Sequence, residues 1–100
     1  MIHHIVFVKF RADVADDEKQ AIWQDLSDLR DVVEVLENAT FGTNISPEGL
    51  SRGFNDGFVM VFRDAAARDD YLDHPAHKKA GARLVAALQG GVDGLLVVDI

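Results

Sequence analysis

The stretch Phe58-Val59-Met60-Val61-Phe62 decides the fold, because every one of its side chains is apolar. Successive side chains of a β-strand point to opposite faces of the sheet. A strand here therefore requires apolar cover on both faces. The segment 2–10 (IHHIVFVKF) is also largely apolar on both faces. The sequence thus predicts a sheet that is covered on its two sides.

Hydrophobic periodicity places further strands and helices around these two segments. One segment repeats apolar residues at four-three-four spacing, which is typical of an amphipathic helix: Ile22, Leu26, Leu29 and Val33. The predicted elements are strand 2–10, helix 16–33, strand 36–44, strand 58–62, helix 65–72, helical segment 75–88 and strand 95–100. Asp64 is expected to cap helix 65–72, and Pro75 to begin the next segment. This βαββαβ order predicts a single ferredoxin-like α+β domain over residues 1–100.

The helices of such a domain cover only one face of its four-stranded sheet. We expect the uncovered face to carry some combination of Val6, Val8, Phe58, Met60 and Leu95 or Leu96. An apolar patch of that size rarely stays exposed on a monomer. The sequence therefore predicts a homodimer that packs sheet against sheet and encloses a small-molecule cavity.

Composition narrows the classes of partner. The chain carries 17 acidic and 10 basic residues, a net charge of −7, which disfavours binding to nucleic acid. No apolar run approaches the ~20 residues of a membrane helix, and residues 1–6 do not resemble a signal peptide. The chain has no cysteine, which rules out disulfides and thiolate sites. We expect a cytoplasmic protein without a membrane partner.

The segment Tyr71-Leu72-Asp73-His74-Pro75-Ala76-His77 holds the candidate catalytic residues. Imidazole has an unperturbed pKa of roughly 6.5 and exchanges protons near neutrality. His77 is a candidate general base acting next to a carbonyl in a dry cavity, and Tyr71 a candidate donor to the developing oxyanion. A structural role is equally open, with His77 bonded to local backbone and Tyr71 buried in the core. His74 is a candidate ligand contact whose position beside Pro75 favours a role in the turn.

Two residues of the first and last predicted strands extend this set. His4 shares a strand face with Val6 and Val8, which suits either a ligand contact or a hydrogen-bonded core histidine. Asp99 is a candidate to bond an imidazole nitrogen and set its tautomer. The alternative for Asp99 is a solvated strand end or a contact with the dimer partner.

Neither a metal nor a nucleotide cofactor is predicted. His74 and His77 are three residues apart, but Pro75 is expected to reorient His74 and no third ligand has suitable spacing. The loop glycines do not follow a strand and open a helix, as a phosphate-binding pattern requires.

An ordered set of segments resembles the stress-responsive A/B barrel (Dabb) family. The matching segments are 4–10, 41–44, 57–62, 71–77 and 97–99, which together span nearly the whole chain. The resemblance implies a ferredoxin-like subunit that pairs into a dimeric α/β barrel. Most family members have no assigned reaction, whereas one plant member cyclises a linear polyketide by an aldol condensation.

The resemblance to that plant cyclase implies roles for individual residues. Its catalytic histidine matches His77, its active-site tyrosine matches Tyr71, and a further pocket histidine matches His4. Trp23 replaces an aromatic residue on the pocket side of the first helix and is a candidate ligand contact. Asp56 stands where the cyclase has another histidine, so the substrate does not carry over.

Two hypotheses from different classes remain open. The first is a dimeric barrel protein without turnover that binds a small apolar or carbonyl-bearing molecule. The second is a cofactor-independent cyclase or isomerase that uses His77 and Tyr71.

Overall fold

The computed structural model describes residues 1–100 and has four strands and three α-helices. In chain order these are β1 (Ile2–Val8), α1 (Asp16–Ser27), β2 (Leu36–Thr43), β3 (Asp56–Phe62), α2 (Ala65–Asp73), α3 (Pro75–Ala86) and β4 (Leu95–Asp99). The strands form one sheet in the order β2-β3-β1-β4, and all neighbouring pairs are antiparallel. The predicted ferredoxin-like arrangement is confirmed. No helix is both long enough and apolar enough to span a membrane.

The first helix is shorter than its periodicity predicts. α1 ends at Ser27, and a 3₁₀ turn follows over Asp28–Asp31. Within this region the N–H of Val32 donates to the carbonyl of Leu29, at the three-residue spacing of a 3₁₀ helix. Leu29 and Val33 are nevertheless buried. The tighter turn therefore keeps the apolar spacing that the sequence presents as one continuous helix.

The break between α2 and α3 follows from two capping side chains and a proline. The Asp64 carboxylate accepts from the N–H of Ala67 at 2.9 Å and begins α2 as predicted. His74 has extended backbone with a ψ of 132°, the conformation that a following proline favours. Pro75 then occupies the first turn of α3. The chain thus turns at His74 and holds both short helices against the sheet.

All three helices lie on one face of the sheet, and the core forms between them. Paired residues of neighbouring strands share a face, and the register pairs Val6 with Phe58 and His4 with Met60. Val8 and Met60 are fully buried. The predicted assignment of Val6, Val8, Phe58 and Met60 to the uncovered face was therefore wrong. Both faces of these strands are apolar, so their alternation alone does not say which face the helices cover.

The uncovered side, here called the open face, carries the other half of each strand. Its apolar side chains are Ile5, Phe7, Val59, Val61, Leu96 and Val98. Phe7 is 40% exposed, Leu96 43% and Val98 44%. Ile5, Val59 and Val61 are half-buried by their neighbours in the sheet. The open face thus keeps the apolar character from which we predict a homodimer, and of the residues first expected there it carries Leu96.

A single charge in the middle of the open face tests that homodimer. Val59 lies on a central strand and points away from the helices. We expect Val59→Asp to sediment as a folded 11.0 kDa monomer, because a carboxylate buried between two sheets has no partner. Val92→Asp, at a position that is 66% exposed and outside the sheet, serves as the control and should stay dimeric. A wild-type chain that sediments as a stable monomer at micromolar concentration would refute the prediction.

Candidate functional site

Three of the predicted site residues meet above the centre of the sheet. His4 projects from β1 toward the helices, Tyr71 descends from the last turn of α2, and His77 lies in the first turn of α3. The ring centroids of Tyr71 and His77 are 4.4 Å apart, and those of His4 and Tyr71 are 6.1 Å apart. Phe62 completes the group at 5.0 Å from Tyr71. These four rings are called the histidine–tyrosine cluster below.

The turn between α2 and α3 sets the position of His77. The Nδ1 atom of His74 accepts from the N–H of Ala76 at 3.0 Å and so caps α3. One turn later, Nδ1 of His77 lies 3.2 Å from the carbonyl oxygen of Leu72. This contact ties the first turn of α3 back to α2. His74 thus has a demonstrated part in the turn, and its contact with a ligand stays a prediction.

The hydrogen bond to Leu72 determines which nitrogen of His77 is free. A carbonyl oxygen only accepts, so Nδ1 of His77 carries the proton. Burial lowers the pKa of His77 from its ordinary value, and the backbone hydrogen bond to Leu72 offsets only part of that effect. The ring is therefore neutral at pH 7 with an unprotonated Nε2. That atom has the lone pair that a general base requires.

The Tyr71 hydroxyl is nearly buried and has no hydrogen-bond partner within the protein. The residue is 1% exposed, yet no fully buried side-chain oxygen or nitrogen lacks a partner. The residual exposure of Tyr71 therefore includes its hydroxyl oxygen. Burial raises the pKa of Tyr71, so the phenol keeps its proton and remains a hydrogen-bond donor.

A carboxylate and a guanidinium hold His4 from the other side. Nδ1 of His4 donates to Oδ1 of Asp99 at 2.7 Å, and Arg68 donates to Oδ2 of Asp99 at 3.0 Å. Burial on its own raises the pKa of Asp99, but the hydrogen bonds and charges of His4 and Arg68 outweigh it and lower the pKa. The ionised Asp99 places the proton of His4 on Nδ1 and leaves Nε2 without a protein partner.

Asp99 thus bonds an imidazole as the sequence suggested, and that imidazole belongs to His4. Arg68 was missed in the sequence, although it lies three residues before Tyr71. That spacing puts both side chains on one face of α2. The spacing places Arg68 near the cluster but does not identify its partner, because Asp99 comes from β4, 31 residues later in the chain.

Trp23 lies in a second aromatic group, away from the cluster. Its ring is 5.4 Å from Phe10, 5.5 Å from Phe41 and 5.7 Å from Phe58. Trp23 and Asp56 line a cleft of about 620 Å³ beside α1. The structure therefore does not bring Trp23 into contact with Tyr71 or His77. Its contact with a ligand stays a prediction.

The histidine–tyrosine cluster is closed in the single chain. His4, Tyr71 and His77 line none of the five main cavities of the molecule. The rings of His77, Tyr71 and Phe62 pack directly on one another, and the expected cavity that Tyr71 and His77 face stays a prediction. No three His, Asp or Glu side chains converge on a point where a metal ion would be held.

Comparison with known domains identifies a family. The profile described as the stress responsive A/B barrel domain matches residues 2–100. A solved structure of a dimeric ferredoxin-like protein of unknown function from Jannaschia sp. CCS1 is 34% identical, with a TM-score of 0.90. The alignment covers 99% of this chain and 96% of that one.

Two curated plant proteins are more distant relatives. The stress-response A/B barrel domain-containing protein HS1 of Arabidopsis thaliana is 24% identical over 98% of this chain and 86% of its own length. Olivetolic acid cyclase of Cannabis sativa is 18% identical over 76% of this chain and 75% of its own length.

The lowered pKa of His77 gives a pH dependence of folding stability that can be measured. As the pH falls below about 6.5, the unfolded chain binds a proton at this residue before the folded chain does. The stability of the wild type should therefore fall between pH 7 and pH 5. Urea denaturation at the two pH values should show that His77→Gln loses less free energy of unfolding between pH 7 and pH 5 than the wild type does. Lys79→Gln, an exposed change on the same helix, should lose as much stability as the wild type. Equal losses in wild type and His77→Gln would contradict the buried neutral imidazole.

Proposed function

The chain belongs to the stress responsive A/B barrel domain family, and we propose that it is a homodimeric binding protein for a small apolar or carbonyl-bearing molecule. The proposed ligand occupies the histidine–tyrosine cluster. The observation that carries the proposal is that three polar atoms of this cluster lack protein partners: the Tyr71 hydroxyl, Nε2 of His77 and Nε2 of His4. No fully buried side-chain oxygen or nitrogen lacks a partner, so these three atoms reach solvent and are free to bond a ligand.

The chemistry of these atoms selects a carbonyl compound. The Tyr71 hydroxyl is a donor whose pKa is raised, and a carbonyl oxygen accepts such a bond. The unprotonated Nε2 of His77 accepts a proton or a hydrogen bond from an acidic C–H or O–H group beside that carbonyl. Phe62 and the remaining ring faces favour apolar substituents. The proposed ligand thus combines one carbonyl with a hydrocarbon portion.

Entry of the ligand requires His77 to move. His77 is the half-exposed member of the cluster, whereas Tyr71 and His4 are buried. Its only hydrogen bond to protein is the one to Leu72. Rotation of this ring away from Tyr71 opens the cluster and breaks a single bond, with a net cost of ~1 kcal/mol. The proposed binding is therefore an exchange of ring contacts for ligand contacts.

A cofactor-independent cyclase or isomerase is the second candidate function. In this reaction Nε2 of His77 removes a proton from the carbon next to a carbonyl, and the electron pair moves onto the carbonyl oxygen. The Tyr71 hydroxyl stabilises the enolate that forms. In a cyclase the enolate carbon then attacks a second carbonyl of the same molecule, and the protonated His77 returns its proton to the new alkoxide. The neutral state of His77 and the similarity to olivetolic acid cyclase favour this candidate.

Removal of one hydroxyl tests the binding function. Nonane-2,4-dione combines carbonyls with a hydrocarbon chain and serves as the probe. We expect Tyr71→Phe to bind it about tenfold more weakly, the loss of one hydrogen bond of ~1.4 kcal/mol, when measured by isothermal titration calorimetry. The melting temperature should stay within a few degrees, since the hydroxyl bonds no protein group. Asp70→Asn, at the exposed neighbouring position, should bind like the wild type. If Tyr71→Phe binds as tightly as the wild type, the cluster is not the binding site.

A turnover assay separates the two candidate functions. The assay reaction is the ring closure of a poly-β-keto thioester, and the absorbance of the aromatic product measures its rate. An enzyme should lose this activity in His77→Ala while the variant remains a folded dimer. If His77 acts only at the helix break, the same variant should lose about 0.5–2 kcal/mol of stability, as for a capping residue. If the wild type binds the ligand but forms no product, the enzyme candidate is excluded and the binding function remains.

A further inference from the structure

Two glycines leave a gap in the open face of the sheet. The register aligns Gly42, Gly57, Phe7 and Leu96 in one row across the four strands. The ring of Phe7 covers Gly57, since a Cβ there would lie 2.8 Å from Cδ1 of Phe7. A Cβ at Gly42 would meet nothing within 4 Å. The row is therefore filled by side chains at one end and empty over Gly42.

A cavity of about 430 Å³ occupies this gap. Phe7, Val59 and Thr40 form its wall on the sheet, and Phe54 and Ile45 form its wall on the loop that joins β2 to β3. Small-molecule sites have volumes of ~300–1,000 Å³. The cavity is thus large enough for an aromatic ring or a short alkyl chain.

The loop wall is preformed rather than loose. The N–H of Asn44 donates to the carbonyl of Asn55 at 2.7 Å, which closes the loop at its base. The hydroxyl of Ser51 donates to Oδ1 of Asn55 at 2.6 Å. The ammonium of Lys9 lies 4.5 Å from the centre of the Phe54 ring and holds that ring in place. The aromatic wall therefore exists before any ligand binds.

Some of the polar groups around the cavity bond to protein groups. The Thr43 hydroxyl donates to Asp56 at 2.9 Å, and Oδ1 of Asn44 accepts from the N–H of Ser46 at 2.9 Å. The hydroxyls of Thr40 and Ser46 and the side-chain amide N–H groups of Asn44 and Asn55 donate to no protein group. No cationic side chain lines the cavity. Its accessible wall is nevertheless mostly aromatic and aliphatic carbon, so its chemistry suits an uncharged, largely apolar molecule.

We propose that this cavity over Gly42 is a second small-molecule site, for an uncharged apolar ligand, and that a second copy of the chain closes it. The open face lies next to the cavity and shares Phe7 and Val59 with it. The Jannaschia relative, at 34% identity, is dimeric. A sheet packed on the open face would roof the cavity and remove the ligand from water. This site is on the opposite side of the sheet from the histidine–tyrosine cluster, and its occupancy does not depend on that cluster.

A larger side chain at Gly42 can fill the cavity without straining the backbone. Gly42→Leu places a side chain in the cavity, where its Cβ has free space and the backbone φ is not positive. The probe is N-phenyl-1-naphthylamine, an uncharged apolar dye whose fluorescence rises on burial. We expect Gly42→Leu to weaken dye binding at least tenfold while sedimentation still shows a dimer. Gly81→Leu, at another glycine with free space around its Cβ, should bind the dye like the wild type. Tyr71→Phe should also bind it unchanged.

Each other outcome overturns the proposal. No dye binding by the wild type, or equal binding by Gly42→Leu, would show that the cavity is not a ligand site. A Gly42→Leu variant that becomes monomeric would show that the gap receives a side chain of the second copy instead. Loss of dye binding in Tyr71→Phe would place the dye in the histidine–tyrosine cluster.

Discussion

The pairing of β1 with both β3 and β4 is the constraint on which the rest of the structure depends. The even-numbered residues of β1 face the helices, and its odd-numbered residues face away from them. His4 therefore contacts Tyr71, while Phe7 lies on the open face. A slip of one residue would exchange these two sets. The same register brings Asp99 opposite His4. One strand alignment therefore produces both the site and the apolar surface that needs a partner.

The histidine–tyrosine cluster places polar groups between the sheet and the helices, where apolar side chains would contribute more to folding stability. The burial of His4 is compensated by a hydrogen bond from its Nδ1 to the Asp99 carboxylate. Arg68 in turn donates to the same carboxylate. Nothing comparable compensates the Tyr71 hydroxyl or Nε2 of His77. Since no fully buried side-chain oxygen or nitrogen lacks a partner, these atoms reach solvent at the edge of the core and are open to a ligand, which is the physical reason to interpret this cluster functionally rather than as part of the scaffold.

The sequence predicted the elements of this fold well, because long periodic segments and the Pro75 break carry strong local signals. It did not predict which face the helices cover, since β1 and β3 are apolar on both. The meeting of His4, Tyr71 and His77 was accessible only through the family resemblance, since it joins residues from three elements. Arg68 and the closed packing of the cluster depend on side-chain geometry that spacing does not encode. The gap over Gly42 could not be predicted from the sequence, because it depends on the register between β2 and β3.

The most direct test is ¹⁵N nuclear magnetic resonance of the imidazole rings at pH 7. We predict that His77 is neutral, with its proton on Nδ1, and that its Nε2 resonance shifts when nonane-2,4-dione is added. His74 gives an internal reference, because its Nδ1 accepts a hydrogen bond and cannot carry the proton. An imidazolium at His77, a proton on its Nε2, or resonances that do not respond to the diketone would contradict the account.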